Sequence, residues 1–346
     1  VDPSRARQRT VHRRGRAALS RPPAEDPAQG LEQGARVSGR RRLVSLAFGV
    51  LVLAGGAWLV ARNAADLRDA ARDVGVGAVV ASAALAVVGT VLIEQVWFAL
   101  LRGLGVLAPP VEAAGVFFVS QLGKYLPGSV WPIVAQMEFG RRWGTPRRTM
   151  LTANILMLAM LTATGLVVGA VLLPWSSGEG LAHYWWLLLL LVPLLVCLHP
   201  RTLPAVLDRL LGLVGREPLQ IRVSGRAMVQ AMLWSLAVWL VMGLHLVVLV
   251  RALGATGADP VAAAVGGMAL GWAAGLIFIP APAGAGVREA VLVLTLTPQV
   301  GAGPALAVAL ASRMVLLLAD VLLAAVGALT GAGVARSGRE RGRQQG

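Results

Sequence analysis

The chain has 346 residues, 56% of them hydrophobic and only 14% charged. Soluble domains carry roughly 25% charged residues, so an ordinary soluble enzyme or binding module is excluded and an all-α, polytopic membrane protein is expected. The net charge of +15 is concentrated in the tails and short loops, with eleven Arg against four acids in residues 1–42 and four Arg against one acid in 334–346. This is the distribution of positive-inside topology; no nucleic-acid reading module accompanies it, and no nucleic-acid partner is expected.

Residues 1–42 are rich in Arg, Pro, Ala and Gln and read as a disordered, basic cytoplasmic tail. Val1 is read as a translated alternative start codon. Six apolar runs then read as full spans: 43–61, 76–101, 149–173, 185–199, 228–250 and 305–333. Runs of about 20 residues are long enough to cross a hydrocarbon core of roughly 30 Å as helix. Two further regions, 111–135 and 261–298, are apolar but broken by Pro and Gly.

Charge orders these segments. With the N-terminus inside, loop 136–148 is basic and belongs inside, whereas 174–184 has no Lys or Arg and belongs outside. The parity closes if both broken regions enter and leave on one side, 111–135 from the inside and 261–298 from the outside. Two tight full spans in 261–298 would keep the same parity. The expected architecture is six full spans plus two re-entrant helical hairpins in an inverted repeat, a plan that many secondary transporters use. Residues 43–333 would form the membrane domain and 334–346 a second basic tail, with both termini cytoplasmic in a bacterial inner membrane.

The first break, "QLGKYLPGSVW" at 121–131, holds Lys124, the one lysine in the chain, beside Tyr125, Pro127 and Gly128. The second, "FIPAPAGAGVREA" at 278–290, holds Pro282, Gly284 and Gly286, then Arg288 and Glu289. Proline and glycine interrupt a helix, and non-helical backbone at membrane depth is tolerated only where protein buries it or water reaches it. Each hairpin therefore offers a cation near its tip, a candidate contact for a lipid phosphate. The bland alternatives are that Lys124 snorkels to the interface and that Arg288 pairs locally with Glu289.

Glu94, Arg313 and Asp320 also lie within spans, where charge is costly. Arg313 and Asp320 are seven residues apart, too far to bond each other, so Arg288 with Asp320 and Arg313 with Glu289 or Glu94 are expected as cross-helix pairs. These either lock helices together or relay protons or lipid. His245 reads as a satisfied core histidine, Tyr125 and most of the ten tryptophans as interfacial belts, the small residues of 261–275 as close helix packing, and lone Cys197 as a small hydrophobe. No Walker A, HExxH, CxxC or nucleophile elbow is present; no enzyme activity, cofactor or metal is expected.

The two breaks in this order, followed by "ASRMVLLLADVLL" at 311–323, resemble the membrane domain of lysylphosphatidylglycerol synthases and the stand-alone flippase-like proteins built from it. The resemblance covers about residues 43–333. It implies that this domain moves a lipid to the outer leaflet, and that the soluble transferase of the full-length synthases has no counterpart here. Its motif positions fall on Lys124, Tyr125, Pro127, Gly128, Gly284, Gly286, Arg288, Glu289, Arg313 and Asp320. The "PAPAGAG" turn departs from the Pro-Gly-Gly type more usual among relatives. The expected function is translocation of a membrane phospholipid or other lipid-linked headgroup. The alternatives are a non-transporting partner of a lipid-modifying or cell-envelope enzyme, and a small-solute or ion carrier.

Overall fold

The computed structural model describes residues 74–125, 130–176, 202–213, 223–256, 259–277 and 286–344, with single positions between them. The expected span 43–61, nearly all of 185–199, the N-terminal tail, Pro127, Gly128 and Pro282 lie outside the described residues. Every element among the described residues is helical. In chain order they are α1 (Val76–Gly103), α2 (Pro110–Gln121), α3 (Trp131–Phe139), α4 (Arg147–Leu172), α5 (Thr202–Leu213), α6 (Gly225–Ala252), α7 (Asp259–Ile277), α8 (Val287–Val300) and α9 (Ala302–Gln344). Short 3-10 turns follow α2, α3 and α4.

Among the described residues four stretches are long and apolar enough to cross a membrane: Val76–Gly103, Arg147–Trp175, Gly225–Ala252 and Ala302–Thr330. These coincide with four of the six expected spans. Their outward faces are aliphatic, as along α9, where Leu306, Leu310, Leu318, Leu322, Val326 and Leu329 are exposed. A helix apolar on its outer face as well as its inner one is built for lipid.

Both broken regions fold back on themselves. Helices α2 and α3, at 12 and 9 residues, reach only about 18 and 14 Å at 1.5 Å per residue, so neither spans a core of about 30 Å. The two ends of this hairpin lie together: Trp143, just after α3, donates its indole N–H to Glu112 in the first turn of α2 at 3.1 Å. At its tip, a Cβ on Gly123 would meet Trp131 at 2.9 Å. Helices α7 and α8, 19 and 14 residues long, run antiparallel, because Gly267 abuts Thr295, Gly271 abuts Val291, and Gly275 abuts Gly284. The small residues of α7 do allow close approach, as their composition suggested.

Three helix pairs carry most of the packing between the two groups of helices, α1–α4 and α6–α9. The long helices α1 and α6 pack together. The long helix α4 packs on α7, and the long helix α9 packs on α2. Small residues make both crossings. A methyl at Gly115 would lie 2.9 Å from the carbonyl oxygen of Gly327. One at Gly165 would lie 3.1 Å from that of Ala269. Lipid supplies no hydrophobic drive between helices, so such backbone approach is what holds them.

Candidate functional site

The 3-10 turn Leu122–Tyr125 closes α2 and carries Lys124 at a helix C-terminus, where the dipole favours a cation. From there Lys124 reaches Asp320 on α9, its Nζ 2.6 Å from Oδ2. Tyr125 donates its hydroxyl to the same oxygen at 2.5 Å. Asp320 is 2% exposed, and this double engagement by an ammonium and a phenol is what holds a carboxylate there. The lysine side chain is 32% exposed, its ammonium 5.4 Å from the Tyr125 ring centre.

Arg288 stands in the first turn of α8, where the dipole disfavours a cation. Glu289 compensates: it accepts the Gly286 N–H at 2.6 Å and an N–H of Arg313 on α9 at 2.5 Å. Gly286 and Gly284 have φ of 84° and 68°, a left-handed backbone that glycine adopts without strain. A Cβ on Gly284 would also meet the Gly275 Cα at 2.9 Å. Among the described residues, the hydrogen-bond partner of Arg288 is the Met268 sulfur, at 3.1 Å, a weak acceptor for a group with five N–H donors.

Lys124, Asp320 and Arg288 line one cavity. It encloses about 50 Å³, bounded also by Thr90 and Ile93 of α1, Val238, Trp239 and Met242 of α6, Met268 and Trp272 of α7, and Leu316 of α9. A cavity of this size holds a few water molecules. Trp239 is fixed by an indole hydrogen bond to the Thr164 hydroxyl at 2.9 Å, and Trp272 meets it edge-on at 5.4 Å.

The cross-helix pairs divide. Arg313 with Glu289 forms as expected. Arg288 with Asp320 does not: Asp320 is taken by Lys124 and Tyr125, although Arg288 faces the same cavity. Glu289 makes its direct contacts to Arg313 and the Gly286 amide, and its charge also acts on the neighbouring Arg288. Among the described residues Glu94 pairs with no cation; it is 2% exposed and accepts from the neighbouring Gln95 at 2.7 Å. His245 is a satisfied core residue. Its Nδ1 faces the Met242 carbonyl, which can only accept, so Nε2 accepts from Ser312 at 2.8 Å. Among the described residues no three of His, Cys, Asp and Glu come together as metal ligands.

The belt assignment missed part of the site. Trp131, Trp175, Trp185 and Trp186 are exposed as belts require, but Trp97 and Trp239 are buried, and Trp239 with Trp272 walls the cavity. The available signal was position: Trp239 lies mid-span, far from either end of α6.

Fold and site define a multi-pass helical membrane protein with a charged cavity between two helix breaks. The chain belongs to the family described as the Lysylphosphatidylglycerol synthase TM region, whose sequence model matches residues 43–324. That family places it among membrane proteins of lipid modification or translocation. A comparison with curated proteins gave no match.

Proposed function

We propose that this protein is a lipid translocase of the cytoplasmic membrane, and that the cavity between the breaks is where the headgroup crosses. The observation that carries this reading is that Lys124 and Arg288, from two separate breaks, face one space. The polar headgroup passes between them while the acyl chains stay in the bilayer. Six spans and two re-entrant hairpins, with both termini cytoplasmic, give the two breaks opposite access. The tie between Glu112 and Trp143 and the reciprocal packing of α4 on α7 and α9 on α2 support that plan.

At about 50 Å³ the cavity is smaller than a phospholipid headgroup, so transport requires the breaks to part. Its size also favours a second reading, the carriage of a small anion. Reconstitution decides between them. Vesicles carrying the protein and a fluorescent phospholipid are expected to expose the inner-leaflet label to an impermeant quencher, without leaking entrapped anion. Lys124→Gln and Arg288→Gln are each expected to slow exposure about tenfold or more in protein that remains folded. Undiminished exposure in both variants contradicts the cavity route. Anion leak without lipid exposure favours the second reading.

A further inference from the structure

Both helix breaks are fastened to one helix, α9, and they reach it from opposite ends. Helix α2 runs antiparallel to α9, because Gly115 abuts Gly327 and Tyr125 bonds Asp320. It enters from the Thr330 end of that span, where Arg141, Arg142 and Arg147 are exposed near the Trp143–Glu112 tie. Helix α8 is joined to α9 through Gly301 and doubles back along it, so that Glu289 and Arg313, equally far from that glycine, meet. It enters from the Ala302 end.

The two attachment points on α9 are Arg313 and Asp320, and Leu316 of the cavity wall lies between them. At 1.5 Å per residue, Arg313 lies about 16 Å from Ala302 and Asp320 about 15 Å from Thr330. Each break is thus held well inside the span by its own charges. Lys124 and Tyr125 hold the first to Asp320. Arg313 holds the second through Glu289, which also takes the Gly286 amide of the break itself. The two clusters share no residue. An ion pair at membrane depth resists separation, because each parted charge stays in a poor solvent. With both closed, the space between them is about 50 Å³, smaller than a headgroup. Opening one at a time would admit a headgroup from one side only, which is what alternating access requires.

We infer that these two clusters are alternate gates: Lys124–Asp320–Tyr125 closes the cavity toward the basic end, and Glu289–Arg313 closes it toward the other. This inference rests on the cavity being the transport route. Helix α9 is the post on which both gates close, and the structure is the state with both shut. A headgroup charge of either sign releases the first gate, a phosphate by taking Lys124 or an ammonium by taking Asp320.

Thr90, 4% exposed on the cavity wall, reports the gates without belonging to either. The test is the rate at which Thr90→Cys, in the full Cys197→Ser chain in phospholipid vesicles, reacts with an impermeant thiol reagent added on one side. Leu107→Cys, at a position 91% exposed before α2, marks the basic end. With both gates intact, Thr90→Cys is expected to react from either side at least about tenfold more slowly than Leu107→Cys does from its own. Lys124→Gln is expected to speed the reaction about tenfold from the basic end alone, and Arg313→Gln about tenfold from the other end alone. Arg313→Lys is expected to keep the slow rate. Acceleration from both ends alike, from the wrong end or from neither overturns the gates. So does fast reaction of Thr90→Cys with both gates intact, a result that needs no gate variant to fold. The two proposals separate. One-sided acceleration in vesicles that move no lipid keeps the gates and contradicts the translocase, whereas lipid movement without one-sided acceleration does the reverse.

Discussion

Asp320 and Glu94 are both buried carboxyl groups in membrane helices, and their surroundings set opposite consequences for removing the charge. Asp320 balances Lys124 and accepts from Tyr125. Asp320→Asn leaves a partly buried ammonium without its counter-ion, at a cost of about 1–3 kcal/mol. Lys124→Gln leaves the carboxylate with the phenol alone, at a similar cost. The double variant is expected to recover most of either loss, which a double-mutant cycle in detergent unfolding measures. Additive losses would mean that the pair contributes nothing as a pair. Among the described residues Glu94 has only the Gln95 amide, so Glu94→Gln removes no ion pair formed there. Its unfolding midpoint is expected to match that of the wild-type protein, and a large drop would reveal a cation partner in solution. At this scale the sequence was legible for identity more than for pairing. The rarity of charge in apolar runs picked out Lys124, Arg288, Glu289, Arg313, Asp320 and Glu94. Spacing along one helix could not say that Asp320 would face Lys124 rather than Arg288, because that choice depends on how far α2 extends before its break.

Two helix crossings hold the elements in register, and both depend on residues without bulk. At the crossing of α2 and α9, Gly115 and Gly327 bring backbone against backbone. Gly115→Leu is expected to force the helices apart, costing about 1–3 kcal/mol as overpacking. It should also draw the 3-10 turn bearing Lys124 away from Asp320, so lipid translocation falls together with stability. Thermal unfolding and the vesicle assay check this; a stable, fully active variant would show that the crossing does not position the turn. The breaks were legible because Pro and Gly disrupt helices wherever they occur. Charge parity led to the expectation that each broken region enters and leaves on one side, which the antiparallel packing of α7 on α8 and the tie of Trp143 to Glu112 accommodate. The partner of each hairpin was not, because glycine marks a surface of close approach without naming what approaches. Trp239 was misread for a related reason: tryptophan suits both an interface and a buried wall, and only its mid-span position separated the two.

For the whole molecule, the disposition of the helices in the bilayer is the step between fold and function. In a Cys197→Ser background, Leu107→Cys before α2 and Arg142→Cys after α3 are expected to react with an impermeant thiol reagent from the same side. Thr256→Cys before α7 and Ala302→Cys after α8 are expected to react from the other side. Reaction of Leu107→Cys and Arg142→Cys from opposite sides would make the first hairpin a crossing and break the inverted repeat. The central claim is that lipid passes through the cavity between the breaks, and Thr90 tests it without disturbing a charge. Thr90 is 4% exposed and lines that cavity. The most direct measurement is phospholipid translocation by Thr90→Cys in the same background, before and after methanethiosulfonate labelling and again after reduction. Translocation that stops on labelling and returns on reduction is the predicted result. Translocation that continues at full rate in stoichiometrically labelled protein would contradict the route.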